Sequence, residues 1–224
     1  MILVKFAIRH FPWYNYREFQ TINSLFFLGG GWYMETKSVW TIKYGFVKRE
    51  EMEVELIKGR KLEIKQRNVQ ILHDAIGLPC LECSSISQDE FVKAIQFSNL
   101  RIGTRSFEDV FKESELRSKS KDGKKGNILF YKYAGWHWNL NHLQDFQDFL
   151  FAKAIQESFS REEVERKLAK YEYFTDIDFK EGQKETSIAR SLAIVKLMYK
   201  LFDGILDTDD REHWCHFLEL FVKG

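Results

Sequence analysis

The chain has only 2 prolines in 224 residues, so its connections must depend on glycine and polar residues rather than on rigid proline turns. Its 3 cysteines are an odd number, which excludes a fully paired disulfide framework and points to a reducing compartment, read as the cytoplasm. Net charge is almost absent as well. The 34 Lys and Arg against 33 Asp and Glu leave +1, so no global field draws the molecule to phosphate backbones or anionic lipid, and any nucleic-acid contact must be a local patch. No apolar run approaches a membrane span, and the few apolar residues before Arg9 and His10 are too short for a signal-peptide core. A globular protein with no membrane partner is expected.

Phenylalanine is plentiful, at 20 residues within a hydrophobic content of 44%, enough for a sizeable aromatic core. The pattern predicts an α+β fold: a β-rich N-terminal portion with a hairpin, one later strand returning to the sheet, and a helical C-terminal half. ILVKFAIRHF (residues 2–11) and SVWTIKYGFV (38–47) read as strands, and Lys58-Gly59 in EVELIKGRKLEIK reads as a hairpin turn. Gly29, Gly30 and Gly31 mark a sharp turn, without the lysine-serine pair or spaced glycines of a phosphate loop. From Gln66 the period becomes helical: Val69, Leu72 and Ile76 share a face, and Gly77 caps the end. Ser87 with Glu90 and Ser160 with Glu163 have capping-box spacing. Apolar stripes predict helices over 142–159, 185–202 and 209–221, and 126–138 reads as the returning strand. A single domain over 1–224 is expected, divisible at most into a β-rich lobe (1–85) and a mainly helical lobe (86–224).

Cys80 and Cys83 form a CxxC pair that can present two thiolates to one tetrahedral ion. On the last predicted helix His213 and His216 lie along one edge, beside a buried face of Trp214, Phe217, Leu218 and Phe221. Cys80, Cys83, His213 and His216 are therefore the candidate ligands of a structural zinc. Cys215 lies almost opposite His213, and Cys80, Cys83 and Cys215 with His73 form the alternative set.

Glu63-Ile64-Lys65, following an acidic segment, resembles the E-x-K element of PD-(D/E)xK nucleases. That resemblance implies a metal-dependent nuclease in which Glu55 and Glu63 hold Mg²⁺ and Lys65 stabilises the scissile phosphate. Arg67-Asn68 with His73 resembles the Arg-x(4–6)-His motif of HEPN ribonucleases, which implies acid–base cleavage of RNA. His137 and His142, beside Trp136 and Trp138, read as a strand end packed on the core. No nucleophile elbow, kinase set or Rossmann fingerprint is present, so a non-catalytic role is expected ahead of an enzymatic one.

The positive charge that the whole chain lacks is concentrated in ELRSKSKDGKKGN (115–127), where Arg117, Lys119, Lys121, Lys124 and Lys125 are offset chiefly by Asp122. Tyr131 and Tyr133 follow on a predicted strand, so stacking rings lie beside a positive loop, as in single-strand binders. The leading expectation is a nucleic-acid-contacting accessory subunit, binding RNA or DNA within a nucleoprotein or defence-type assembly. The nuclease is the alternative. The third reading is a protein-interaction subunit with structural zinc, in which Trp13, Tyr14 and Tyr16 anchor a protein partner.

Overall fold

A computed structural model of the chain describes residues 31–119, 126–180, 186–202 and 210–223. The expected strand at 2–11, Trp13, Tyr14, Tyr16, Gly29, Gly30, Lys121, Lys124 and Lys125 lie outside the described residues.

Strands β1 (Trp32–Lys43) and β2 (Phe46–Ile57) pair antiparallel along their whole length around Tyr44-Gly45. Both turn residues have positive φ, 55° and 80°, the backbone of a type I′ turn, whose twist matches that of the strands. Lys58-Gly59 is therefore not the hairpin turn; the chain there bends into helix α1 (Leu62–Ile76). Ile64, Asn68 and Leu72 are buried one helical turn apart. That continuous face reaches back to the helix start and outweighs the short alternation of Leu62 and Ile64. Gly77, at φ 68°, closes α1 in the left-handed conformation expected of it.

The chain continues through β3 (Cys80–Glu82), α2 (Glu90–Ala94), β4 (Arg101–Ile102), β5 (Arg105–Ser106) and α3 (Phe107–Glu113). Next come β6 (Glu115–Arg117), β7 (Ile128–Tyr133), β8 (Trp136–Asn139) and a 3₁₀ turn, Leu140–His142, which leads into α4 (Leu143–Ser158). Then follow α5 (Arg161–Leu168), β9 (Tyr173–Thr175), α6 (Ile188–Leu201), α7 (Arg211–Phe221) and β10 (Val222–Lys223). The α+β fold class thus holds, with a β-rich N-terminal portion and a mostly helical C-terminal half.

The central sheet has the order β10-β2-β1-β9-β3. The strand that returns to it in the middle of the helical half is β9, not the segment 126–138. That segment folds on itself, because Ala134 and Gly135, at φ 46° and 85°, make a two-residue turn like that of the first hairpin. β7 pairs with β8 and β6 in a separate three-stranded sheet.

Residues Lys37 to Thr41 of β1 are all buried, because the strand is covered on both faces. Val39 packs with Val54, Leu56 and Leu72 on the side of α1, whereas Trp40 joins the larger core. That core is built on α4 and α6. Phe146, Phe149, Leu150, Phe151 and Ile155 meet Leu192, Ile194, Val195 and Met198, all with 1% exposure or less. Each such side chain contributes about 1.5–3 kcal/mol by leaving water. Among the described residues no helix is long and apolar enough to cross a membrane.

Candidate functional site

A pocket of about 460 Å³ opens where the start of α4 meets α6 and α7. Helix α7 is amphipathic: Trp214, Phe217 and Leu218 are buried, while Arg211, Glu212, Cys215, His216 and Glu219 recur at helical spacing along the pocket wall. Asp210 caps the helix, its Oδ1 accepting from the Glu212 N–H at 2.8 Å and the His213 N–H at 3.3 Å. The indole N–H of Trp214 donates to the Asp145 carbonyl at 3.2 Å, tying α7 to α4.

Arg190 of α6 forms the charged floor of the pocket. It reaches Asp145 at 3.0 Å and also pairs with Asp148, one turn further along α4. Asp148 is fully enclosed and accepts from the hydroxyls of Thr186 at 2.9 Å and Ser191 at 2.6 Å. Gln147 accepts from the Thr186 N–H at 2.8 Å, so the segment entering α6 is stitched to α4. A cation in the first turn of a helix opposes the helix dipole, and the two carboxylates compensate for it. Removing one partner would strand a buried charge, a loss of about 3–5 kcal/mol. Burial pushes the Asp148 carboxyl above its usual range, against the pull of Arg190, Ser191 and Thr186. Burial opposes the charge on Arg190 too, but Asp148 and Asp145 hold its guanidinium above the usual value.

At the rim, His142 Nδ1 lies 3.0 Å from the second oxygen of Asp145. With Arg190 on one carboxylate oxygen and the imidazole on the other, Asp145 orients the His142 ring. Arg211 lies with its guanidinium 5.1 Å from the centre of the Trp138 ring, and its buried Nε has no hydrogen-bond partner. Burial raises the Cys215 thiol above its ordinary pKa, which keeps it protonated.

The nuclease set is dispersed. Glu55 is exposed on β2, Glu63 is exposed in the first turn of α1, and Lys65, also on α1, pairs with Asp178 at 2.6 Å. The shared strand face behind that reading is not formed, since helix replaces the second strand. Asn68 of the HEPN-like motif is a clamp: its amide accepts from the Ile57 N–H at 2.8 Å and donates to the Ile57 carbonyl at 2.9 Å. His73 lies 2.9 Å from the Thr175 hydroxyl, and burial lowers its pKa.

The two halves of the zinc set also stand apart. Cys80 and Cys83 lie on and just after β3, and α7 runs into β10; β3 and β10 are opposite edges of the central sheet. Four strand spacings separate those edges, about 19 Å. The Cys80 thiol donates to the Leu78 carbonyl at 3.1 Å and the buried Cys83 thiol to the Leu81 carbonyl at 3.3 Å. His213 pairs with Asp210 at 3.2 Å, and His216 lines the pocket. Among the described residues no group of three or more His, Cys, Asp or Glu side chains is arranged to hold a metal.

Of the basic stretch, Arg117 donates to Glu115 at 2.9 Å and to the Gly126 carbonyl at 2.9 Å, while Lys119 is exposed. Tyr131 is 3% exposed and stacks on Phe111 at 5.2 Å, and Tyr133 packs edge-on against Phe149 at 5.9 Å. Both rings serve the core. The pocket residues Asp145, Arg190 and Arg211, and the enclosed Asp148 that pairs with Arg190, were not singled out in the sequence. The available signal was charge inside apolar stripes, namely two aspartates in LQDFQDFLF and one arginine in SIARSLAIV.

None of the curated proteins compared with the chain matches it. Residues 93–222, more than half of the chain, match NADAR-DarT1, the DarT1-associated NADAR antitoxin family. This segment holds the three-stranded sheet, α4 to α7 and the whole pocket wall, and on that match the chain belongs to the NADAR-DarT1 antitoxin family.

Proposed function

We propose that this chain neutralises a DarT1 toxin, that it works in contact with nucleic acid or a nucleoprotein, and that the pocket between α4, α6 and α7 is its working site. The placement of the pocket carries this reading: every residue lining it, from His142 to Val222, falls inside the segment shared with the antitoxin family. Its composition supports a working role over packing, because a buried ion cluster is a weak source of stability compared with apolar side chains of similar size. The oriented His142 and the ring-held Arg211 face a polar ligand. The basic stretch that begins at the end of β6, with Arg117 and Lys119 and with Lys121, Lys124 and Lys125 in its sequence, lies in the same segment and supports the nucleic-acid contact.

Inducible expression of a DarT1 toxin in a bacterial host, with and without this chain, tests the proposal. The wild-type chain should restore growth. His142→Ala combined with Arg211→Ala, accumulating to wild-type level, should lower survival on the order of a hundredfold if His142 moves a proton in the neutralising step. Full protection by the double variant would remove the pocket from the proposal, and no protection by the wild type would remove the toxin.

A further inference from the structure

We infer that the solvent face of the three-stranded sheet, centred on Phe130, is a platform for single-stranded nucleic acid on which one base stacks. The inference rests on the proposed nucleic-acid contact and names the surface that makes it. It follows from strand register. Residues paired across an antiparallel sheet share a face, and Tyr131 is paired with Glu115 and Trp138. Tyr131 and Trp138 are buried against Phe146 at 5.4 Å and 5.3 Å, so that face belongs to the core. The residues on either side of Tyr131 along β7, Phe130 and Lys132, therefore point outward. Phe130 pairs with Leu116 on one side and Asn139 on the other, and Lys132 pairs with His137.

This outer face combines the elements of single-strand recognition. Phe130 is only half-buried, and the His137 ring meets it edge-on at 4.8 Å and 74°, forming a corner with Phe130. Leu116, 38% exposed, adds apolar surface on β6. Lys132 and Lys119 are both exposed. Lys132 stands two residues along β7 from Phe130, and Lys119 follows Ser118, whose N–H donates to the Asn127 carbonyl at the other end of the strand. Cations thus flank the ring along the strand. Glu115 is paired with Tyr131, on the opposite face from Phe130, and is held by Arg117. Every base offers a π-face, so such a platform accepts any sequence and prefers unpaired strands.

Fluorescence anisotropy with labelled oligothymidylate, oligouridylate and a duplex of equal length provides the test. The wild-type chain should bind both single strands more tightly than the duplex. Phe130→Ala should weaken single-strand binding by about five- to a hundredfold, whereas Phe130→Trp should retain it. Lys119→Ser combined with Lys132→Ser should flatten the dependence of log affinity on log salt by roughly 1.4. Thermal unfolding of each variant separates a lost contact from a damaged fold. If the wild type binds none of the probes at low salt, the nucleic-acid contact itself fails. If it binds but Phe130→Ala binds equally well at unchanged stability, the contact stands and this face is wrong.

Discussion

Glu82, the last residue of β3, is 7% exposed, yet its carboxyl is fully engaged. One oxygen accepts from the N–H groups of Ser84 and Ile177, both at 3.0 Å, and the other from the Thr175 hydroxyl at 2.8 Å. Burial pushes its pKa up to about 7, and burial with the neighbouring Asp178 raises Asp176 to about 6. The folded chain therefore keeps a proton on Glu82 up to about pH 7, whereas the unfolded chain loses it near 4.5. Between those values the native state binds more protons, so stability must fall as pH rises through the window, by roughly 3 kcal/mol for this group. Asp176 adds to the same trend. Urea unfolding at about pH 5 and about pH 7.5 should show the wild type losing stability on going up. Glu82→Gln keeps the backbone N–H acceptor and removes the titration, so its loss should be clearly smaller, with the Asp176 share remaining. An equal loss in both proteins would mean that Glu82 is ionised throughout.

The β1–β2 and β7–β8 hairpins turn through two residues with positive φ, and neither uses the asparagine or aspartate that usually fills the first position. In the β7–β8 turn Ala134 sits at φ 46°, a left-handed conformation costing an L-residue about 1–2 kcal/mol. Ala134→Asn should recover part of this, raising stability by about 0.5–1 kcal/mol, while Ala134→Val should lower it. Chemical denaturation midpoints check both, and a destabilising asparagine would contradict the turn. The same chemistry explains which elements were legible in the sequence. Some helix ends were, because their signals are local: Ser160 accepts from the Glu163 N–H at 3.2 Å, Gly77 closes α1, and Trp214, Phe217 and Leu218 form the buried face of α7. Ser87 is not the cap of α2, because Asp89 lies closer to the helix and accepts from the Phe91 N–H at 2.9 Å and the Val92 N–H at 3.2 Å, and α1 begins at Leu62 rather than Gln66. The turns Tyr44-Gly45 and Ala134-Gly135 carry no such signal, so the first hairpin was sought at Lys58-Gly59 and the second was read as one strand. Alternation along β7 separates Tyr131 from Phe130 but does not say which of them meets the core; the packing of Tyr131 on Phe146 does. The pocket was less legible still, since Arg190 meets Asp145 and Asp148 across two helices and no local spacing records that pairing.

At the scale of the molecule, the segment shared with the antitoxin family is not self-sufficient in the sheet. It contributes β9 and β10, but among the described residues β10 pairs with β2 alone and β9 lies between β1 and β3, and all three partners precede residue 93. The pairing is parallel for β10 with β2 and for β3 with β9, so each edge depends on strands brought from far along the chain. The large core crosses the same boundary: Trp40 and Val47 from the hairpin, and Leu81, Cys83, Phe91 and Val92 after it, pack with α4 and α6. A chain beginning at Lys93 would expose the inner face of α6 that now covers β1, and would leave two short strands without a template. Those losses far exceed the margin of a typical domain, which is about 5–15 kcal/mol. The fragment 93–224 should therefore lack a cooperative unfolding transition and bind a hydrophobic dye, although its helices keep a far-ultraviolet circular dichroism signal. Adding residues 31–92 as a separate chain should restore near-ultraviolet signal and protection of the α6 amides from exchange, because they supply the missing strands and core side chains. A fragment that unfolds cooperatively by itself would show instead that the hairpin is an appendage to a self-standing antitoxin fold, and the pocket could then be studied without it.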